Sequence, residues 1–289
     1  MVLASFLWGL TFVFQSQAAT LIDPFTYNGI RMLIGALVLC PVAAGNFNSH
    51  RGDRKYCSDL FTGGLVCGLL IAAASVLQQY GIGFTTAGRA GFITSLYSLF
   101  VPVASVLMGR KVSARLWLCV LAGLVGAFLL STGAQEGKIG KGDLMIFFCA
   151  ILFTFQILAV DRYSHRVSGS ELSFAQFVIG GAVSLVLAFI FENVSWVVVK
   201  GAWIQILYAG VFSCGIAYTL QIVGQRYVVP AKATLILCLE SVWAAVGGAL
   251  LLHETMTAKE LFGCALMLLA VVLSQLDRNS KAHGVRAAL

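Results

Sequence analysis

The sequence predicts an all-α membrane protein of ten transmembrane helices, arranged as two inverted five-helix repeats. Three observations lead there: an apolar composition poor in charge, ten long apolar runs, and a self-similarity that lays the second half over the first. Of the 289 residues, 59% are hydrophobic and 11% are charged, whereas a soluble domain carries roughly 25% charged residues. Mean hydropathy is +0.91. So little polar surface cannot coat a water-soluble body of this size, and soluble, disordered and fibrous classes are excluded together.

A helix crosses the hydrocarbon core with about 20 apolar residues. Ten runs approach that length: 2–19, 25–44, 61–80, 89–108, 116–132, 144–160, 172–191, 203–222, 233–252 and 261–276. They are long and lack period-2 alternation, which excludes barrel strands. Helices also satisfy their own backbone hydrogen bonds, as a bilayer interior demands. The first run ends in Gln17-Ala18-Ala19, faintly like a signal-peptide cleavage site, but nothing basic precedes its apolar stretch. It is read as a span. The longest gap, Gly45 to Leu60, is too short for a core of its own. Two units result, 1–132 and 133–289, the second ending in a short cytoplasmic tail.

The formal charge of +7 would suit nucleic acid only if it formed a basic face in water. Instead the basic residues fall in the gaps between runs, so no nucleic-acid partner is expected. With ten crossings and the N-terminus inside, the inner segments hold Arg51, Arg54, Lys55, Arg110, Lys111, Arg115, Arg162, Arg166, Arg226, Lys232, Arg278, Lys281 and Arg286. The outer segments hold Arg89, Lys138, Lys141, Lys200 and Lys259. This asymmetry places both termini in the cytoplasm; the expected location is a bacterial inner (plasma) membrane. Of the eight cysteines all but Cys57 lie inside apolar runs and none forms a CxxC, so they read as packing residues rather than disulfides or zinc ligands.

The stretch from Gln78 lies over the stretch from Gln221 at an offset of 143 residues. Gln78 falls on Gln221, Gly81 on Gly224, Arg89 on Lys232, Ala90 on Ala233, Leu96 on Leu239 and Ser98 on Ser241. The shift covers five helices, an odd number, so the two halves cross in opposite senses. Inverted repeats let one chain open a midplane site to either side, which is a transporter's requirement.

These residues resemble the drug/metabolite transporter superfamily, specifically its EamA-type members. The matching stretches are Trp8-Gly9, Pro24-Phe25, Asn28-Gly29-Ile30-Arg31, TTAGRAGFITSLYSLFVPV and PAKATLILCLESVWAAVGGALLLHE. The resemblance covers nearly the whole chain. It implies a ten-helix fold of inverted halves that moves small metabolites such as amino acids, often outward. Members of that family often carry proline where this chain has Ser98 and Ser241, so the helix bends that proline would impose are in question here.

A charge near the bilayer centre costs roughly 2.5–3.5 kcal/mol even on the lenient insertion scale. Two ionisable residues fall well inside the runs, Arg31 and Glu240. Glu240 is either a cavity residue that takes up a proton or holds a cationic part of the substrate, or a structural carboxyl bonded between helices. Arg31 lies about six residues, roughly 9 Å, from its helix end. Its side chain either bends toward the headgroups or an ion partner, or binds a substrate carboxylate. Polar and aromatic residues in the runs mark a candidate substrate-binding lining: Trp8, Thr11 and Gln15 on one helical face, Gln78, Gln79 and Tyr80, Thr94, Tyr97 and Ser98, then Gln156, Tyr218, Gln221 and Trp243. The alternative reading for each is an interhelical hydrogen bond.

No HExxH, GxSxG or Walker loop occurs, and all four histidines, at 50, 165, 253 and 283, lie outside the runs. No enzyme activity, cofactor or metal is therefore expected. The expected partners are a small-molecule substrate, membrane lipids and a coupling proton or cation; nothing in the sequence speaks to oligomeric state. Export of amino acids or related metabolites by alternating access is the leading reading. The rivals are a nucleotide-sugar or sugar-phosphate exchanger of the same superfamily, which should need several basic cavity residues, and a membrane sensor or scaffold.

Overall fold

The computed structural model describes residues 1–50, 52–85, 87–131, 140–251 and 257–276. Arg51, Lys138, His253, Arg278, Lys281, His283 and Arg286, and the boundary between 132 and 133, lie outside these residues. All regular structure among the described residues is helical. We number the long helices α1 (Val2–Ala18), α2 (Pro24–His50), α3 (Arg54–Ile82), α4 (Ala87–Ser95 and Tyr97–Leu107) and α5 (Ala114–Ser131). They continue with α6 (Lys141–Ser164), α7 (Gly169–Phe191), α8 (Trp203–Tyr208, Ala209–Ala217 and Tyr218–Gln225), α9 (Pro230–Leu237 and Leu239–Leu251) and α10 (Ala258–Gln275). A short helix, Trp196–Gly201, precedes α8.

Eight of these are long and apolar enough to cross a membrane, and α1 and α5 are shorter apolar helices. Leu37, Leu107 and Phe189 are 73%, 83% and 73% exposed. An outside so rich in large apolar side chains belongs in acyl chains, not water.

Helix ends extend past the apolar runs because polar residues cap them. The Asp53 carboxylate accepts from the backbone N–H groups of Lys55 and Tyr56 at 2.9 and 3.1 Å, starting α3 at Arg54, ahead of the apolar run at 61. Thr257 and Glu260 form a reciprocal capping box that starts α10. Pro230 opens α9 at a position where its missing N–H costs nothing. Hydropathy therefore marks the hydrocarbon-facing part of each helix and misses its interfacial turns.

Close crossings are built on glycine. A Cβ added at Gly126 of α5 would stand 2.7 Å from the Gly263 carbonyl oxygen of α10, and one at Gly263 would stand 2.6 Å from that of Gly126. Backbone thus meets backbone, and dispersion between small residues replaces the hydrophobic drive that lipid cannot supply.

Most of the larger packing pairs map onto one another when each of the first five helices is exchanged with the helix five later, although α9 also packs on α5. α2 packs on α7, α4 on α9 and α5 on α10. α3 lies on α6 and α7, as α8 lies on α1 and α2, and α1 packs on α9 as α6 packs on α4. Helix ends obey the same shift. α3 ends at Ile82 and α8 at Gln225, 143 residues apart, and the 18-residue α5 and α10 start at Ala114 and Ala258, 144 apart. Thr11 and Thr154, also 143 apart, both donate back to the carbonyl four residues earlier, at 2.7 and 2.9 Å.

Both α4 and α9 are interrupted, at Leu96 and Cys238. Each break carries a tighter turn, with Leu99 N–H donating to the Leu96 carbonyl and Ser241 N–H to the Cys238 carbonyl at 2.9 and 3.1 Å. The interruptions occur without proline at positions 98 and 241, and the hydroxyls of both serines are buried without a partner. Across the two breaks the Cys238 thiol points at the Ser95 carbonyl oxygen at 3.6 Å, and the Tyr97 hydroxyl donates to Glu240 Oε1 at 3.1 Å. Each pair is again 143 residues apart.

Candidate functional site

A cavity with about 480 Å³ of atom-free space, its mouth included, opens between the two halves of the bundle. Trp8, Thr11, Gln15, Arg31, Gln78, Thr94 and Tyr97 reach it from α1 to α4. Gln156, Tyr218, Gln221 and Glu240 reach it from α6, α8 and α9. The predicted face of α1 is thus the face turned inward. Four predicted residues lie elsewhere. Gln79 is buried and donates to the Gln15 carbonyl at 3.0 Å. Tyr80 meets the Phe25 ring edge-on with centroids 6.0 Å apart. Trp243 meets Phe6 in the same way at 5.3 Å. Ser98 follows the α4 break and is buried outside the lining. Phe12, Phe153, Ile157, Ser213 and Leu237 complete the wall and were not expected.

One wall is made of neutral amides and hydroxyls. Gln15 Nε2 donates to Gln78 Oε1 at 3.4 Å, and Gln78 Nε2 donates to Thr94 Oγ1 at 3.2 Å. This chain links α1, α3 and α4 and fixes which amide atoms point inward. On the other side Gln156 Nε2 donates to Gln176 Oε1 of α7 at 3.4 Å. The oxygen of Gln221 is buried without a partner. Aromatic rings floor the cavity: Trp8 lies 4.5 Å from Tyr218, which meets Phe177 at 5.5 Å.

Arg31 is 2% exposed, so its side chain does not reach for the headgroups. Its Nε donates to Asn28 Oδ1 at 2.8 Å, and the guanidinium stands over the Tyr27 ring at 5.2 Å. Asn28 is fixed in turn, donating to the carbonyls of Pro24 at 2.8 Å and Ser75 at 3.2 Å. Asn28 lies three residues before Arg31, one helical turn, which was the available sequence signal. Glu240, 4% exposed, takes the Tyr97 hydroxyl on one carboxyl oxygen. Among the described residues the ion pairs are Arg89–Asp143, Arg110–Asp161 and Arg166–Asp59, all at helix ends. Arg31 and Glu240 are not joined. A buried guanidinium without a carboxylate is costly, so such a group is ordinarily kept for a ligand or a mechanism.

The family model for EamA-like transporters matches residues 1–132 and 140–276. The chain belongs to the EamA-like transporter family. It is 30% identical over 279 residues to an uncharacterized transporter of Archaeoglobus fulgidus, covering 95% of this chain and 84% of that protein. It is 22% identical over 276 residues to the uncharacterized transporter YoaV of Bacillus subtilis, covering 93% and 92% of the two chains. A solved crystal structure shares its fold with a TM-score of 0.76 at 18% identity, over 95% of both chains. This EamA-like chain is accordingly an integral membrane protein of a transporter family.

Proposed function

We propose that this EamA-like protein carries small zwitterionic metabolites, amino acids or close relatives, by alternating access between two inverted five-helix halves. The observation that carries the substrate reading is the pair of buried ionisable side chains, not bonded to each other, in one cavity. Arg31 offers a planar fork to a carboxylate, and Glu240 offers an acceptor to an ammonium group. Amides and aromatic rings between them suit a neutral or aromatic side chain. A sugar-phosphate exchanger fits less well, because Arg31 is the one basic residue reaching this lining among the described residues.

The carrier reading draws on the shared neighbour pattern, the common shift of helix ends and the meeting of repeat counterparts at the two breaks. The family match falls in two parts, 1–132 and 140–276, one for each proposed half. A site on the axis between inverted halves can be opened to either side by rocking one half against the other. With both termini in the cytoplasm of a bacterial inner membrane, outward movement driven by inward proton flow is the direction assigned.

The test is flux through purified protein in liposomes, with the twenty proteinogenic amino acids as probes and a pH gradient present or absent. Saturable flux of at least one amino acid, faster with the gradient, is expected. Flux of none of them would end the substrate reading, and equal flux with and without the gradient would end the coupling.

A further inference from the structure

The middle of α8, Ala209–Ala217, is a π-helix, in which the Tyr218 N–H donates to the Ser213 carbonyl five residues back. The repeat counterpart of α8 is α3, an unbroken α-helix from Arg54 to Ile82. The widened turn is therefore particular to one half. Single π turns cluster at functional sites because they re-aim side chains.

An α-helix advances about 100° per residue and a π-helix, at roughly 4.4 residues per turn, about 82°. Both Gln221 and Ser213 line the cavity. In a continuous α-helix Ser213 would stand about 80° away from Gln221 around the axis, and Cys214 would share its face to within about 20°. With the π segment Ser213 comes to within about 8° of Gln221, and Cys214 turns about 74° aside. The contacts agree: a Cβ added at Gly35 of α2 would stand 2.4 Å from Cys214 Cβ, so the thiol side of the helix packs on α2.

The π segment also seats directly against the Arg31 turn. A Cβ at Gly210 would stand 3.0 Å from the Arg31 carbonyl oxygen and 2.7 Å from Ile34 Cβ. Ser213 is 2% exposed, lines the cavity, and its hydroxyl has no hydrogen-bond partner among the described residues. Thr11, Thr154 and Thr219 each spend their hydroxyl on the carbonyl four residues earlier. Ser213 does not, and its hydroxyl stays available.

We propose that the π turn makes Ser213 a ligand for the anionic end of the substrate, its hydroxyl donating to the carboxylate that Arg31 holds from α2. The inference rests on the reading of this cavity as an amino-acid site. It goes further in naming a specificity residue that ordinary helical spacing would turn away.

Two experiments test it. In the first, Ser213→Cys protein is treated with a small water-soluble methanethiosulfonate, and labelled residues are located by mass spectrometry. Label on position 213, slowed by the transported amino acid, and none on native Cys214 is expected; label on 214 and not on 213 would overturn the register. In the second, Ser213→Ala is assayed in liposomes with whichever amino acid the wild type carries, and with the amine left by its decarboxylation as competitor. A hydrogen bond to a charged group predicts about tenfold or greater loss of apparent affinity for the amino acid and little change for the amine. Equal loss for both, or none, would overturn the assignment while amino-acid transport itself stands. If the wild type carries no amino acid, the substrate reading falls and this inference with it.

Discussion

Replacing Arg31 with alanine is expected to lower amino-acid transport efficiency by about 100-fold or more, because it removes the cavity's buried cation and leaves a substrate carboxylate desolvated without a partner. Arg31→Lys should recover only part of the loss. A lysine keeps the charge but not the fork that binds a carboxylate through two parallel bonds, and it cannot repeat the Nε contact to Asn28. Liposome flux with matched protein amounts reads the effect, and an unchanged size-exclusion profile separates it from misfolding. The decarboxylated amine should inhibit wild type and Arg31→Ala alike. Wild-type flux in Arg31→Ala would return the residue to a structural role.

The second large effect is expected at Glu240. Its surroundings hold the Tyr97 hydroxyl as a donor, with Tyr218 and Arg31 lining the same cavity and the Cys149 and Cys238 thiols buried close by. In the proposed cycle Glu240 would take up and release the coupling proton as the cavity faces one compartment and then the other. Glu240→Gln keeps the shape and a hydrogen-bonding group but holds the position permanently neutral. Flux in the variant should lose its response to a pH gradient, and amino-acid exchange across equal pH should fall by about tenfold or more, because the substrate ammonium loses its charged partner. If the variant keeps the wild-type response to the gradient, Glu240 is not the coupling group.

Much of the fold was legible because the hydrocarbon core imposes one length and one backbone solution on every crossing. Eight of the ten apolar runs fall on helices long and apolar enough to cross a membrane, and the other two on the shorter apolar α1 and α5. The inward face of α1 was legible too, because Trp8, Thr11 and Gln15 sit on a regular helix whose spacing fixes their direction. Residues beside irregular backbone were not. Ser98 follows the break at Leu96, and Ser213 sits in a turn of different pitch; both were hidden from a reading that assumes 100° per residue. Arg31 was within snorkelling distance by length alone, but Asn28, pinned to two backbone carbonyls, holds it inward. The apolar wall residues Phe12, Phe153, Ile157 and Leu237 carry no sequence signal at all in a chain where nearly every helix is apolar.

The most direct test of the account asks whether one cavity residue can be reached from both sides of the membrane. Thr11 lines the cavity from α1. Thr11→Cys, treated with a membrane-impermeant thiol reagent in right-side-out and in inside-out vesicles and mapped by mass spectrometry, should be labelled in both. An imposed substrate gradient should raise labelling from one side as it lowers labelling from the other. Labelling from a single side under every condition would mean a pocket that faces one compartment only, and a bundle that does not exchange its two halves.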